Sequence, residues 1–385
     1  MARSNARRFG KLEGLMSAGL VGILVTTLTL PAAAQTPSFQ GLGQMPGAAF
    51  GFGTFAIGLS SNGSTVVGYA WVCMNGGTMC NSTGRTAAFR WTAVGKYQRL
   101  GNLGGIDVGN MANATNFDGS VIVGDAPNPL NNLGFGAFRW TAAHGMVALP
   151  PTMFFGNAVT PDGSMTVGGD NWVTTSGQSG VFGPFPGESD QTQALGVTGT
   201  AKSPVAVGAA IKGTDAFGAT LHAFRWTPNG GLHDLGLTTG SQSIADAISA
   251  DGSVVVGQAT DASGFWRAFR WSATTGMVDL GTLGGPESAA EAVNKDGSVI
   301  VGTSLTNGLS DSFRFFRWTA QTGMEDLLTA LQAANVHSAD NWVTLNTADG
   351  ISADGTVMTG YGQSPRTQTF PFGVQTPFRI VLPVP

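Results

Sequence analysis

The chain is predicted to be all-β: a seven-bladed β-propeller of four-stranded antiparallel blades, its ring closed by an N-terminal strand that completes the last blade. Three observations point there. A unit of roughly 45–50 residues recurs, a period that marks propellers and arrays. Each unit carries a tight Asp-Gly or Asn-Gly turn, a β-branched run closing on glycine and, in most copies, Phe-Arg-Trp. Glycine numbers 58 while charged residues make up only 11% of the chain, which suits short strands joined by many turns.

Within a unit, strand A is a run of small residues ending in Ser, Thr or Asn, as in 56–60, 157–160 and 349–352. The turn follows at Asn62-Gly63, Asp118-Gly119, Asp162-Gly163, Asp251-Gly252, Asp296-Gly297 and Asp354-Gly355. Such dipeptides accept the positive φ of a tight hairpin. Strand B is STVVG, SVIVG, SMTVG or SVVVG; the fourth unit keeps this strand (VAVG, 205–208) but has lost its Asp-Gly. Strand C holds the signature, with Arg90, Arg139, Arg225, Arg270 and Arg317 each followed by Trp91, Trp140, Trp226, Trp271 and Trp318. The third unit has Asp170-Asn171-Trp172 there, and the seventh Phe378-Arg379-Ile380. Strand D is short and ends in a glycine corner such as LGNLGG (100–105).

The seventh unit stops after strand C, whereas GLGQMPG (41–47) near the N-terminus matches the corner sequence. The two ends are therefore expected to share one blade, removing the exposed sheet edges that invite aggregation. Phe and Trp of strand C should face one side and Arg the other. The aromatics are expected to glue blades together, and the arginines to ion-pair with the turn aspartates. Residues 326–337, with Leu327, Leu328, Leu331 and Ala334 at helical spacing, should form a short helix on the ring exterior.

The N-terminus carries Arg3, Arg7, Arg8 and Lys11, then an apolar run from Leu15 to Leu30 and Ala32-Ala33-Ala34. This is the pattern of a secretory signal peptide over 1–34, leaving 35–385 as one propeller domain without a membrane span. The formal net charge of −4 becomes more negative once these basic residues are gone, so a nucleic-acid or anionic-membrane partner has no electrostatic footprint. Cys73 and Cys80 flank a Gly/Asn-rich loop, and in an exported chain are expected to form a disulfide.

The combination of DGS-V-x-V-G with AFRW resembles the HAF family of extracellular repeat proteins. The name-giving tripeptide stands at His222-Ala223-Phe224, and related copies occupy 87–92, 136–141 and 267–272. The resemblance covers nearly all of 35–385. It implies export and a repeat fold, and it lends no catalytic residues.

Function is expected where loops vary. The stretch between strands B and C differs most in length, and it shares a face with the D–A corners. Asp107, Glu188, Asp190 and Glu287 in those corners, with Trp71 and Trp266 in B–C segments, are the candidate ligand-binding residues, forming an acidic, aromatic-edged cleft for a glycan, a cation or a protein partner. The four histidines are scattered, and no HExxH, GxSxG, Walker or EF-hand sequence occurs. The expectation is a monomeric, non-enzymatic envelope binding module without cofactor or metal. The alternative is a propeller hydrolase or lyase built on clustered carboxylates: two buried acids converging above the axis would favour it, and dispersed, solvated acids would favour the module.

Overall fold

The computed structural model describes residues 36–385 apart from 50–52, 74–83, 105–108, 130–133, 190, 216–217, 308–312, 341 and 365–373. The signal-peptide segment and Cys80 lie outside the described residues. Cys73, at the end of its strand, is disulfide-bonded.

Six four-stranded sheets run in strict chain order, each strand pairing only with its sequence neighbours. Blade 5 is representative: strand A is Ser243–Ile248, B Val254–Thr260, C Trp266–Ser272 and D Gly276–Asp279. The seventh sheet is closed by the other end of the chain. Ser38–Gly41 pairs antiparallel with Gln375–Val381, Phe39 opposite Ile380 and Gly41 opposite Phe378. The expected closure is present, and the glycine corner at 42–47 follows its strand just as LGNLGG follows Lys96–Arg99.

The repeat motif is a set of local bonds. The Ser, Thr or Asn that follows strand A accepts from the backbone N–H five residues on, as Ser249 does from Val254 at 3.0 Å. The turn aspartate accepts from the residue two positions on, as Asp251 does from Ser253 at 3.0 Å. These bonds hold Asp118 and Asp296 below the usual carboxylate range. Glycine is required after the aspartate because φ is +74° at Gly297, and a Cβ there would meet Val254 at 2.3 Å. Successive turns also bond to one another, Lys295 N–H to Ala353 O at 3.1 Å and Ala353 N–H to Ser61 O at 2.6 Å. This belt crosses the junction between blade 7 and blade 1.

Between blades, the Phe-Arg-Trp strand works in both directions. Phe138 and Trp140 of blade 2 are buried against Val67 and Ala88 of blade 1. Arg points to the following blade. Arg90 lies 5.4 Å from the Trp140 ring centroid, Arg270 Nε donates to Gly297 O at 3.4 Å and Arg379 donates to Gly63 O. The expected arginine–turn-aspartate ion pairs are not among those in the described residues. The turn presents its carbonyl to the neighbouring blade while its carboxylate folds inward onto serine and backbone N–H.

The third blade departs further from expectation. Trp172 pairs with Val167, the register position that Arg occupies opposite Val67 or Val123 elsewhere. It therefore packs toward blade 4, beside Phe224 and Trp226, and Val173 takes the place of the repeat tryptophan.

The helix spans Leu327–Ala333, capped where Asp326 accepts from Thr329 N–H. Leu327 and Leu331 are fully buried in a cluster with Phe39, Phe315, Trp342 and Phe378. The helix thus joins the core of the last two blades, beside Ile380, which stands where five other blades have tryptophan.

Candidate functional site

Strand A is the innermost strand of each blade, and one position in it lines the axial cavity. In blades 1, 2, 4, 5 and 6 that position is a β-bulge, skipped by the register between Ala56 and Gly58, Ala112 and Ala114, Ala194 and Gly196, Ala245 and Ala247, and Ala290 and Ala292. A bulge leaves one residue unpaired and re-aims its side chain. The bulge residues and their equivalents in blades 3 and 7 all line one cavity of about 290 Å³.

Their identities divide the wall. Blades 5, 6 and 7 contribute Asp246, Glu291 and Asp349; blades 2 and 3 contribute Asn113 and Asn157; Leu195 and Ile57 stand between the two arcs. Several of these side chains bond to the backbone of the next blade. Asn113 donates to Gly156 O at 3.3 Å, Asn157 to Ala194 O at 2.9 Å, and Glu291 Oε2 accepts from Ala348 N–H at 3.1 Å. Glu291 Oε1 also accepts from Thr303 at 2.8 Å. Asp246 stands out, because its Oδ2 is buried and has no hydrogen-bond partner among the described residues.

The electrostatics follow from this enclosure. Burial, then the charge of Glu291, pushes Asp246 up to about 8. Burial pushes Glu291 up to about 7 against its two hydrogen bonds. Asp349 is raised by burial first and by Glu291 second. At neutral pH the arc therefore keeps protons and offers both donors and acceptors. On the B–C hairpin side of the hub, two residues before Ile57, Phe55 stacks on Tyr69 at 5.1 Å and meets Tyr361 edge-on at 4.9 Å. Burial, then the Asp349 charge, raises Tyr361 to about 12. Tyr361 and Phe55 line a separate, neighbouring recess of about 510 Å³ with Phe313, Asn346 and Gln363.

None of the described residues expected to bind ligand lines the axial cavity. Asp107 and Asp190 lie outside the described residues. Glu188 sits in the loop after Ser179–Val181, and Glu287 lies inside strand Gly284–Val293 rather than in a corner. Trp71 belongs to strand Thr65–Cys73, and Trp266 opens strand Trp266–Ser272, opposite Thr260. Both B–C segments continue as hairpins beyond the glycine, because their backbone groups find partners across the strand. The acids that do meet carry a regular mark: each lies five residues before the turn aspartate, in a strand otherwise of small and apolar residues. Among the described residues no group of three or more acids, histidines or cysteines has metal-binding geometry, and no helix is long and apolar enough to cross a membrane.

No family model matches the chain, and no curated protein sequence does. Among solved structures it is similar to the β-propeller domain of the Trilobed protease from Pyrococcus furiosus, described as having an open velcro topology. That similarity has a TM-score of 0.52 at 8% identity, over 85% of this chain and 95% of that one. TolB from Acinetobacter baumannii gives 0.43 at 10% identity, covering 84% of this chain and 64% of that one. A gluconolactonase from Xanthomonas campestris gives 0.41 at 12%, covering 90% of each. At these identities the likeness is one of fold alone.

Proposed function

We propose that the chain is an exported, non-enzymatic binding module of the HAF type, and that it binds a glycan end at the hairpin-side mouth of the hub cavity. The observation that carries this reading is the unequal wall: three acids from consecutive blades face two asparagines, all at one equivalent position of strand A. Carboxyl groups that burial leaves protonated near neutral pH donate to and accept from sugar hydroxyls, asparagine amides do the same, and the Phe55–Tyr361 rings offer an apolar face in the neighbouring recess. The signal-peptide pattern supports export.

The test is a glycan array on the purified 35–385 chain, followed by calorimetry on the best binder. Glu291→Gln and Asn157→Ala are expected to weaken binding at least tenfold while leaving the fold intact. Unchanged affinity in both would remove the site from the hub. A second reading, a glycan hydrolase, is the one that buried acids converging at the axis favour: Asp246, Glu291 and Asp349 meet in the hub cavity, and Glu291 and Asp246 lie near the pH range useful for general acid–base work. Turnover of the bound glycan that disappears in Glu291→Gln would replace the module by the enzyme.

A further inference from the structure

The interface between blades 2 and 3 lacks a part that the repeat supplies elsewhere. The residue opposite the centre of strand B is Trp91, Trp140, Trp226, Trp271 and Trp318 in five blades. In blade 3 it is Val173, opposite Thr166, because Trp172 points the other way. Met153 and Leu149 pack beside Val173, yet a cavity of about 410 Å³ remains, lined by Arg139, Val147, Leu149, Thr166 and Val173. It opens beside the C–D turns, away from the hairpin-side mouth of the hub.

Arg139 belongs to the same repeat, and its counterpart Arg90 lies against the tryptophan of the next blade. Arg139 has no such ring to meet, and its buried Nε–H has no acceptor among the described residues. Arg317 also faces a blade without the tryptophan, but it is paired with Glu325 and Pro383 O. Among the described residues no carboxylate lines the Arg139 cavity; His144 at its rim is 3.2 Å from Thr141 Oγ1. The carboxylate of Asp162, in the adjoining turn, is taken up by Thr160 and Ser164. A half-buried guanidinium with an unpaired Nε–H, facing Val147, Leu149 and Val173 among threonines, suits an anion, and space vacated by an indole suits a flat ring.

We propose that this slot is a binding site for a small planar aromatic carboxylate, whose ring fills the space of the missing indole and whose carboxylate accepts from the Arg139 guanidinium. The probe is indole-3-carboxylate, titrated by calorimetry and by ligand-observed NMR against the folded 35–385 chain, with neutral indole and cyclohexanecarboxylate as comparators. The expected result is saturable one-to-one binding, weakened at least tenfold in Arg139→Gln and abolished in Val173→Trp, with both comparators at least tenfold weaker. The Val173→Trp chain should also melt higher, since it completes the repeat. If that variant does not fold, Arg139→Gln and the comparators still decide. Absence of saturable binding overturns the proposal, as does binding that Arg139→Gln leaves unchanged. Indole binding as tightly as its carboxylate overturns the anion assignment.

Discussion

Asp246 concentrates the cost and the use of the hub in one side chain. A carboxyl whose folded-state pKa stands near 8 binds its proton more tightly folded than unfolded. Its contribution to stability is complete below about pH 4 and is lost as pH rises toward 8. Glu291 and Asp349 act in the same direction. The turn aspartates, held low, act oppositely and withdraw stability only as pH falls through their depressed values. The melting temperature is therefore expected to be highest in mildly acidic buffer and to decline between pH 5 and 8. Asp246→Asn should flatten that decline and stabilise the chain at pH 8 by on the order of 2–4 kcal/mol. A scan of melting temperature against pH for both chains checks this; a decline of equal steepness in the variant would exonerate Asp246. A second residue-scale outcome concerns packing: Phe269 is fully buried, and Phe269→Ala should cost about 3–5 kcal/mol, measured by denaturant unfolding.

The A–B turn is the element whose chemistry explains most of the repeat. Its serine or asparagine, aspartate and glycine close one another's hydrogen bonds, and its carbonyl receives an arginine from the neighbouring blade. Gly297→Ala combines a left-handed φ with a Cβ clash at Val254, so it should destabilise by more than about 1 kcal/mol. Gly276, also at positive φ but with nothing within 4 Å of a Cβ, should cost less when replaced by Ala. Equal losses in thermal unfolding would show that backbone strain alone, without crowding, sets the penalty. The bulge in strand A is the complementary element: in five blades it gives up one ladder position to aim a side chain at the axis.

For the whole molecule, closure is the property with consequences. The pairing of Ser38–Gly41 with Gln375–Val381 joins residues more than three hundred positions apart. A disulfide across Ser38 and Val381, which stand directly opposite, would hold the ring shut in the unfolded chain as well. The chain-entropy model gives on the order of 5 kcal/mol for so long a loop. The cross-linked chain is expected to melt higher under oxidising conditions and to revert when reduced. Deleting 36–41 should instead expose the edge of Gln375–Val381 and promote association, visible in light scattering. A deletion variant that stays monomeric and equally stable would argue that the belt of turn-to-turn hydrogen bonds closes the ring unaided.

The recurring turn, the β-branched strand and the aromatic strand were readable because each depends on near neighbours: a tight hairpin needs its glycine, and a two-sided strand needs its alternation. The matching tails were readable for the same reason, each half of a blade being recognisable without the other. What ran out was everything set by registry between distant segments. Trp172 looks like its repeat counterparts along the chain, yet a short hairpin at 169–170 turns it to the opposite face, and only packing reveals the slot this leaves. Asp246, Glu291 and Asp349 are separated by tens of residues, so nothing along the chain joins them, whereas Glu188 and Glu287 stand where the sequence places D–A corners, on the face of the variable B–C segments. The amino-acid order alone determined a wheel of β-blades and the bonds inside each turn; three-dimensional closure decided which side chains share the axis, because radial repetition brings the same position of every blade to one point.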